Sequence, residues 1–183
     1  MKKYEFTGET KTHLGINFRQ IRALVTIAGV VNSGDAGGWI QEEKNLDQYG
    51  DAWVSGDAQV YGNARVSGDA QVYGNAQVYG DARVYGNALV SGNAWVSGDA
   101  QVSGSGSIFW ASKVGTENGT ITVFSGNKGQ LIVTRGCFVG SDDDFLKRSK
   151  QAHDEKTHRE YCLLIEVAKS RIKCNSENIT DES

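Results

Sequence analysis

Valine returns at every sixth position from Val54 to Val102, nine times without interruption, and that register constrains the middle of the chain more than any other feature. The unit is Val-(Ser/Tyr)-Gly-(Asp/Asn)-Ala-x, as in Val54-Ser55-Gly56-Asp57-Ala58-Gln59 and Val78-Tyr79-Gly80-Asp81-Ala82-Arg83. Within it, Ala58-Gln59-Val60-Tyr61 alternates small-apolar and polar residues, the period of a strand with one buried face. Gly62-Asn63 then supplies a corner that tolerates positive φ. Each hexad therefore predicts a short strand and a turn. The Val and Ala columns would face inward and be covered only by the coils above and below, so one repeat has no core of its own and stacking makes the fold.

The pairing of an aliphatic residue with a small one four positions later, from Val54/Ala58 to Val96/Ala100, resembles the hexapeptide-repeat, left-handed parallel β-helix family, in which each triangular coil holds three hexads. Gly37-Gly38-Trp39-Ile40, Asn45-Leu46 and Gly50-Asp51-Ala52-Trp53-Val54 more narrowly resemble the YdcK-type β-solenoid proteins of bacteriophages and prophages. So does Gly136-Cys137-Phe138-Val139-Gly140 leading into Asp144-Phe145-Leu146. The resemblance implies a mainly β fold with a left-handed parallel β-helix and a three-fold trimer, and it transfers no catalytic residue.

The expected organisation is an N-terminal β-rich cap over 1–49, the hexapeptide-repeat solenoid over 50–119, a C-terminal β-hairpin plus two-helix cap over 120–174, and a disordered tail over 175–183. In the first cap, Tyr4 to Thr7 reads as a strand, and Ile16 to Val31 as strand or short helix. Trp39 and Ile40 are expected to close the open end of the first coil. After Gly104 the motif decays while Ile108 and Val114 stay on the six-residue grid, which predicts a degenerate last coil. Thr120–Phe124 and Gln130–Thr134 flank Gly126-Asn127-Lys128-Gly129, a hairpin signal. Ser141-Asp142-Asp143-Asp144 places acids at a helix start, and a second helix from about Glu155 to Lys173 carries Tyr161, Leu164, Ile165, Ala168 and Ile172 on one face, as core or as oligomer contact.

Charge and cysteine content narrow the classes. The chain has 19 basic and 22 acidic residues, net −3, and 50–104 holds five aspartates against Arg65 and Arg83. That is no footprint for duplex nucleic acid, and no apolar run is long enough for a membrane span. Cys137, Cys162 and Cys174 are odd in number and form no CxxC pair, which favours reduced thiols. Met1-Lys2-Lys3 leads into polar sequence rather than a signal peptide. The expected location is cytoplasmic, the host cytoplasm for a phage-encoded protein.

Function must then lie on outward side chains. With coils of eighteen residues, three external faces follow: Trp53, Ser55, Gln71, Tyr73, Leu89 and Ser91; Gln59, Tyr61, Gln77, Tyr79, Trp95 and Ser97; and Arg65, Ser67, Arg83, Tyr85, Gln101 and Ser103. The first two hold most of the aromatic area, and Tyr61, Tyr79, Trp95, Trp53, Tyr73 and Leu89 are the candidate oligomer interface. The third stacks Arg65 over Arg83, about 5 Å apart. Two guanidinium groups so close repel unless an anion or a carboxylate lies between them. Arg65 and Arg83, with Tyr85 or Tyr79 stacking a base, form the candidate ligand site. The alternatives are pairing with the corner residues Asp81 or Asp99, or solvation. Asp51 over Asp69 and Asp81 over Asp99 supply too few oxygens for calcium, so no metal and no cofactor is assigned.

Hexapeptide-repeat acyltransferases and carbonic anhydrases need solenoid histidines, as base or as zinc ligands. Here the histidines are His13, His153 and His158, all outside the repeats, and no catalytic residue is assigned. The leading expectation is a non-catalytic oligomeric solenoid that binds a host protein or sequesters a small anionic or nucleotide ligand, with an anti-defence role. The alternatives are a structural or assembly protein, or a degenerate acyltransferase.

Overall fold

The computed structural model describes residues 2–104, 106–126 and 129–172. The hexads form short strands separated by glycine corners: β4 (Trp53–Val54), β5 (Gln59–Val60), β6 (Arg65–Val66), β7 (Gln71–Val72), β8 (Gln77–Val78), β9 (Arg83–Val84), β10 (Leu89–Val90), β11 (Trp95–Val96) and β12 (Gln101–Val102). Parallel pairing joins residues eighteen apart, as in Gln59↔Gln77, Arg65↔Arg83 and Gln71↔Leu89. Three hexads therefore close one coil, and the strands stack into the sheets β4-β7-β10, β6-β9-β12 and a third containing β5-β8-β11. The Val and Ala columns form the core: every such residue from Val54 to Val102 is at most 1% exposed. Each buried valine is worth about 1.5–3 kcal/mol over an exposed one.

The first coil begins before the strict repeats. Strand β3 (Ala36–Ile40) pairs parallel with β5, Ile40 against Val60, and Leu46 bridges to Val66. Trp39 and Ile40 are thus the first strand of the solenoid rather than its lid. The path from Leu46 to Val54 is two residues longer than a hexad, since Leu46 pairs with a residue twenty positions on while the later coils pair at eighteen. The extra length makes a bulged corner around Gln48 and Tyr49.

The lower end is closed by an antiparallel hairpin of β1 (Tyr4–His13) and β2 (Ile16–Ala23), with β2 pairing to β3. The 16–31 stretch is a strand that ends in turns, with one bridge between Ile27 and Val31. The hairpin also pins the bulged corner. Lys3 Nζ donates to the carbonyls of Ala52 (2.7 Å), Gly50 (3.2 Å) and Tyr49 (3.5 Å). The Tyr4 hydroxyl donates to Leu46 O (2.9 Å), and Gln48 Oε1 accepts from Lys3 N (2.8 Å).

At the upper end the sequence expectation needs correction. Ile108 and Val114 do not belong to a further coil; they lie at the two ends of β13 (Ile108–Val114), which leaves the solenoid and pairs antiparallel with β14 (Gly119–Ser125). The sheet continues through β15 (Leu131–Arg135) and β16 (Phe138–Ser141). One side of it, through Ile108, Phe124 and Ile132, joins the solenoid core. The outer edge of β11 is satisfied by side chains: Trp95 N donates to Thr122 Oγ1 (3.0 Å), and Thr134 Oγ1 donates to Trp95 O (2.7 Å). The hairpin expected from Gly126 to Gly129 is present as the β14–β15 pair; its residues 127 and 128 lie outside the described residues.

The other side of the sheet is covered by α1 (Asp142–Ala152) and α2 (Glu155–Arg171). Ser141 caps α1 by accepting from Asp144 N, and Asp154 caps α2 by accepting from Thr157 N, as small polar residues do at helix starts. Tyr161, Ile165, Ala168 and Ile172 pack with Ile121, Val123 and Val133, so the apolar stripe of α2 is core. The expected tail from Asn175, and Cys174, lie outside the described residues. No helix among the described residues is long and apolar enough to cross a membrane.

Candidate functional site

On the β6-β9-β12 face, Arg65, Arg83 and Gln101 form one outward column, and Ser67, Tyr85 and Ser103 form a second two residues further along each strand. Corner glycines keep these columns in line. The segment 43–49, including the short 3-10 turn Glu43–Asn45, rises beside them, because Asn45 is locked in place. Its Nδ2 donates to Ala64 O (2.9 Å) and Gly62 O (3.2 Å), and its Oδ1 accepts from Glu42 N (2.8 Å). Between column and segment lies a groove of about 850 Å³ lined by Arg65, Arg83, Tyr85, Gln101, Tyr49 and Asp47, among others.

The electrostatics of this groove are uneven. Arg65 and Arg83 are exposed and in direct register. Among the described residues, neither guanidinium forms a side-chain hydrogen bond or an ion pair. Asp81, one of the expected corner partners, instead accepts from Asn63 Nδ2 (3.1 Å). Beside the facing segment the glutamates are paired with lysines, Glu43 with Lys2 (3.2 Å) and Glu42 with Lys44 (3.2 Å), while Asp47 Oδ1 accepts from Tyr49 N (3.1 Å). The coils carrying the two arginines are therefore the electropositive part of the groove.

Of the residues singled out in the sequence, Arg65, Arg83 and Tyr85 are brought together here. Tyr79 is not. It lies on the β5-β8-β11 face, stacked on Tyr61 with ring centroids 5.0 Å apart and planes 6° from parallel. Tyr61 is in turn met edge-on by Phe18 of β2 (5.4 Å). That half-buried setting, with Tyr79 beside it, pushes the Tyr61 hydroxyl up to about 12. The N-terminal hairpin thus covers part of a face expected to be open. Trp53 is also covered: it is 2% exposed, and a Cβ on Gly37 would stand 2.8 Å from its ring. As the outward residue of the lowest coil it packs under the cap, so it is not available as a surface contact. Tyr73, Leu89 and Trp95 remain exposed at 36–38%.

Two features escaped the sequence reading. Tyr49, 80% exposed, lines the same groove, and only the pairing of Leu46 with Val66 reveals the bulge that puts it there. In the C-terminal cap, His158 Nε2 lies 3.6 Å from Cys162 Sγ, and its Nδ1 lies 3.2 Å from Ser149 Oγ. The i, i+4 spacing of His158 and Cys162 on a helix was the available signal.

Comparison with known families agrees with the geometry of the coils. The family model described as YdcK Beta solenoid repeat matches residues 58–74, 76–92 and 82–98. No curated protein matches the chain.

Proposed function

We propose, on the premise that the coils within 58–98 match the YdcK Beta solenoid repeat, that the chain is a non-catalytic binding protein whose ligand is a small anion, held on the arginine column of the β6-β9-β12 face. The observation that carries this reading is the register of Arg65 over Arg83 in an open groove. Adjacent coils are about 4.8 Å apart, so the two guanidinium groups repel each other and both gain from an anion placed between them. Guanidinium groups also suit phosphate, because each offers two parallel donors. Small anions of this kind include nucleotide signals. Together with the resemblance to phage and prophage proteins, this supports a role for a phage-encoded protein in the host, sequestering such a signal against a defence response.

The test is calorimetric titration of the full chain with pyrophosphate, compared with the double variant Arg65→Glu/Arg83→Glu. Both positions are exposed, and Gln occupies the same column at Gln101, so the coils should tolerate the change. Affinity should fall by at least about tenfold, the equivalent of one charge-assisted hydrogen bond or more. An unchanged affinity would show that the arginine column is not the site.

The proposal includes a homotrimer, supported by Tyr73, Leu89 and Trp95, large hydrophobic side chains left open on two faces. Native mass spectrometry should show a trimer that persists in the double variant; a monomer at micromolar concentration would remove this part.

A further inference from the structure

The proposed groove has a second half that the arginines do not use. In the column Ser67, Tyr85 and Ser103, a serine precedes the tyrosine by one coil. Asp47 occupies the corresponding place on the first coil, since its N–H donates to Val66 O (2.9 Å), and the two-residue bulge sets Tyr49 beside it. Ser67 is therefore a gap with aromatic or polar groups on both sides. The other face provides an internal template for what such a gap can hold. There, tyrosines on successive coils, Tyr61 and Tyr79, stack nearly parallel with centroids 5.0 Å apart. Coil spacing thus brings planar rings to stacking distance whenever consecutive coils carry them. Over Ser67 one ring of such a stack is missing. From the coil of Asp47 to that of Tyr85 is two coil spacings, about 9.5 Å, and a ring between two others needs about 7–8 Å.

We infer that the groove binds a nucleotide, with its base in the slot over Ser67 between Tyr85 and Tyr49 and its phosphates on Arg65 and Arg83. This rests on the anion reading above and deepens it by fixing the ligand class and the residues that select it. The two columns are two residues apart along the strand, about 6.7 Å, which separates the base from the phosphates laterally. Charge follows the same division. Arg65 and Arg83 stand on the second and third coils, whereas Asp47, an acceptor for ring amino groups, stands on the first. Tyr85 and Tyr49 are solvent-facing at 38% and 80%, and covering them with a base removes apolar surface from water.

The experiment compares adenosine diphosphate with pyrophosphate on the full chain by calorimetry, in wild type and in three variants. Tyr85→Ser installs the residue that the same column carries at Ser67 and Ser103, and Tyr49→Ala truncates an exposed side chain, so neither threatens the fold. Ser67→Tyr fills the slot with the ring that the Tyr61–Tyr79 stack shows to be tolerated. Wild type should bind the diphosphate nucleoside about 5- to 150-fold tighter than pyrophosphate, the range that one stacked base contributes. Tyr85→Ser, Tyr49→Ala and Ser67→Tyr should each erase most of that difference and leave pyrophosphate within about twofold. Equal binding of both compounds, insensitive to the three variants, would overturn the stacking slot while the arginine site survives. If wild type bound neither compound, both readings would fall together.

Discussion

Lys3 shows how one residue can hold a solenoid corner at a cost that depends on pH. Its ammonium is buried, 4% exposed, among the carbonyls of Tyr49, Gly50 and Ala52. Burial lowers its pKa from 10.5 to about 8, and Asp47 and Asp51 pull the other way. The neighbouring Tyr4 phenol, bonded to the carbonyls of Glu43 and Leu46, has its own pKa raised by burial and by Glu43 and Asp47. Because the folded state gives up the lysine proton earlier than the unfolded state, the unfolded chain binds more protons between about pH 8 and 10.5, and stability contributed by this group rises with pH across that window. Thermal melts of wild type and Lys3→Met, read as their difference from pH 7 to 10, should show wild type gaining on the variant as pH rises. A difference that shrinks instead would mean that the carbonyls favour the ammonium more than burial penalises it. The same residue also bears on the groove, since the corner it secures carries Tyr49. Lys3 was invisible as a functional residue in the sequence, where it reads as part of a polar start, because its partners are backbone carbonyls, and these leave no trace in side-chain patterns.

At the scale of the element, the corner glycines are the least replaceable part of the hexad. Gly74 sits at φ +71°, and a Cβ there would lie 3.0 Å from the backbone nitrogen of Gly92 on the next coil. Backbone cannot rotate aside as a side chain can, so the penalty combines left-handed strain, about 1–2 kcal/mol, with a displaced coil. Gly74→Ala should therefore lower stability by about 2 kcal/mol or more in denaturant melts. A loss below about 0.5 kcal/mol would show that the coil absorbs the methyl group. The strands and corners were legible because each inward position has one chemistry throughout. The end of the solenoid was harder to read. A period of six is a multiple of the strand's period of two, so Ile108 and Val114 fit both a further coil and the ordinary strand that β13 proves to be. The third face was legible as a stack because pairing at eighteen follows from three hexads per coil. The wall opposite it was not, since the extra length between Leu46 and Val54 has no repeat to be compared with.

For the whole molecule, the caps rather than the repeats define which coil is which. Inside the solenoid each coil presents the same Val and Ala surfaces to its neighbours, whereas β11 must meet Thr122 and Thr134 and β3 must meet β2. Removing residues 67–84, one full coil by the pairing register, keeps every strand on its own face and both caps on their proper sheets. That variant should fold with a lower melting temperature, reflecting one fewer coil interface. Removing residues 67–72, a single hexad, turns β8–β12 and the C-terminal cap together onto the next face relative to the N-terminal cap; β11 keeps its threonines, and Arg65 is brought under Leu89 instead of Arg83. It too should melt cooperatively below wild type, as circular dichroism would show, but should bind pyrophosphate more weakly because Arg65 and Arg83 no longer share a face; a non-cooperative melt would mean that the caps also require a fixed rotation about the axis.

Inward and outward residues alternate along each short strand, and the core asks only for valine and alanine. The outer positions consequently form a pegboard, about 4.8 Å between rows and about 6.7 Å between neighbouring holes on a strand, on which side chains can be exchanged without disturbing what lies beneath. Arg, Gln, Leu and Trp already share one class of peg, at Arg65, Gln71, Leu89 and Trp95, and Ser and Tyr share the other. A chain of this build can revise what it recognises one peg at a time, and its ancestry can be scrambled outside while its interior stays monotonous.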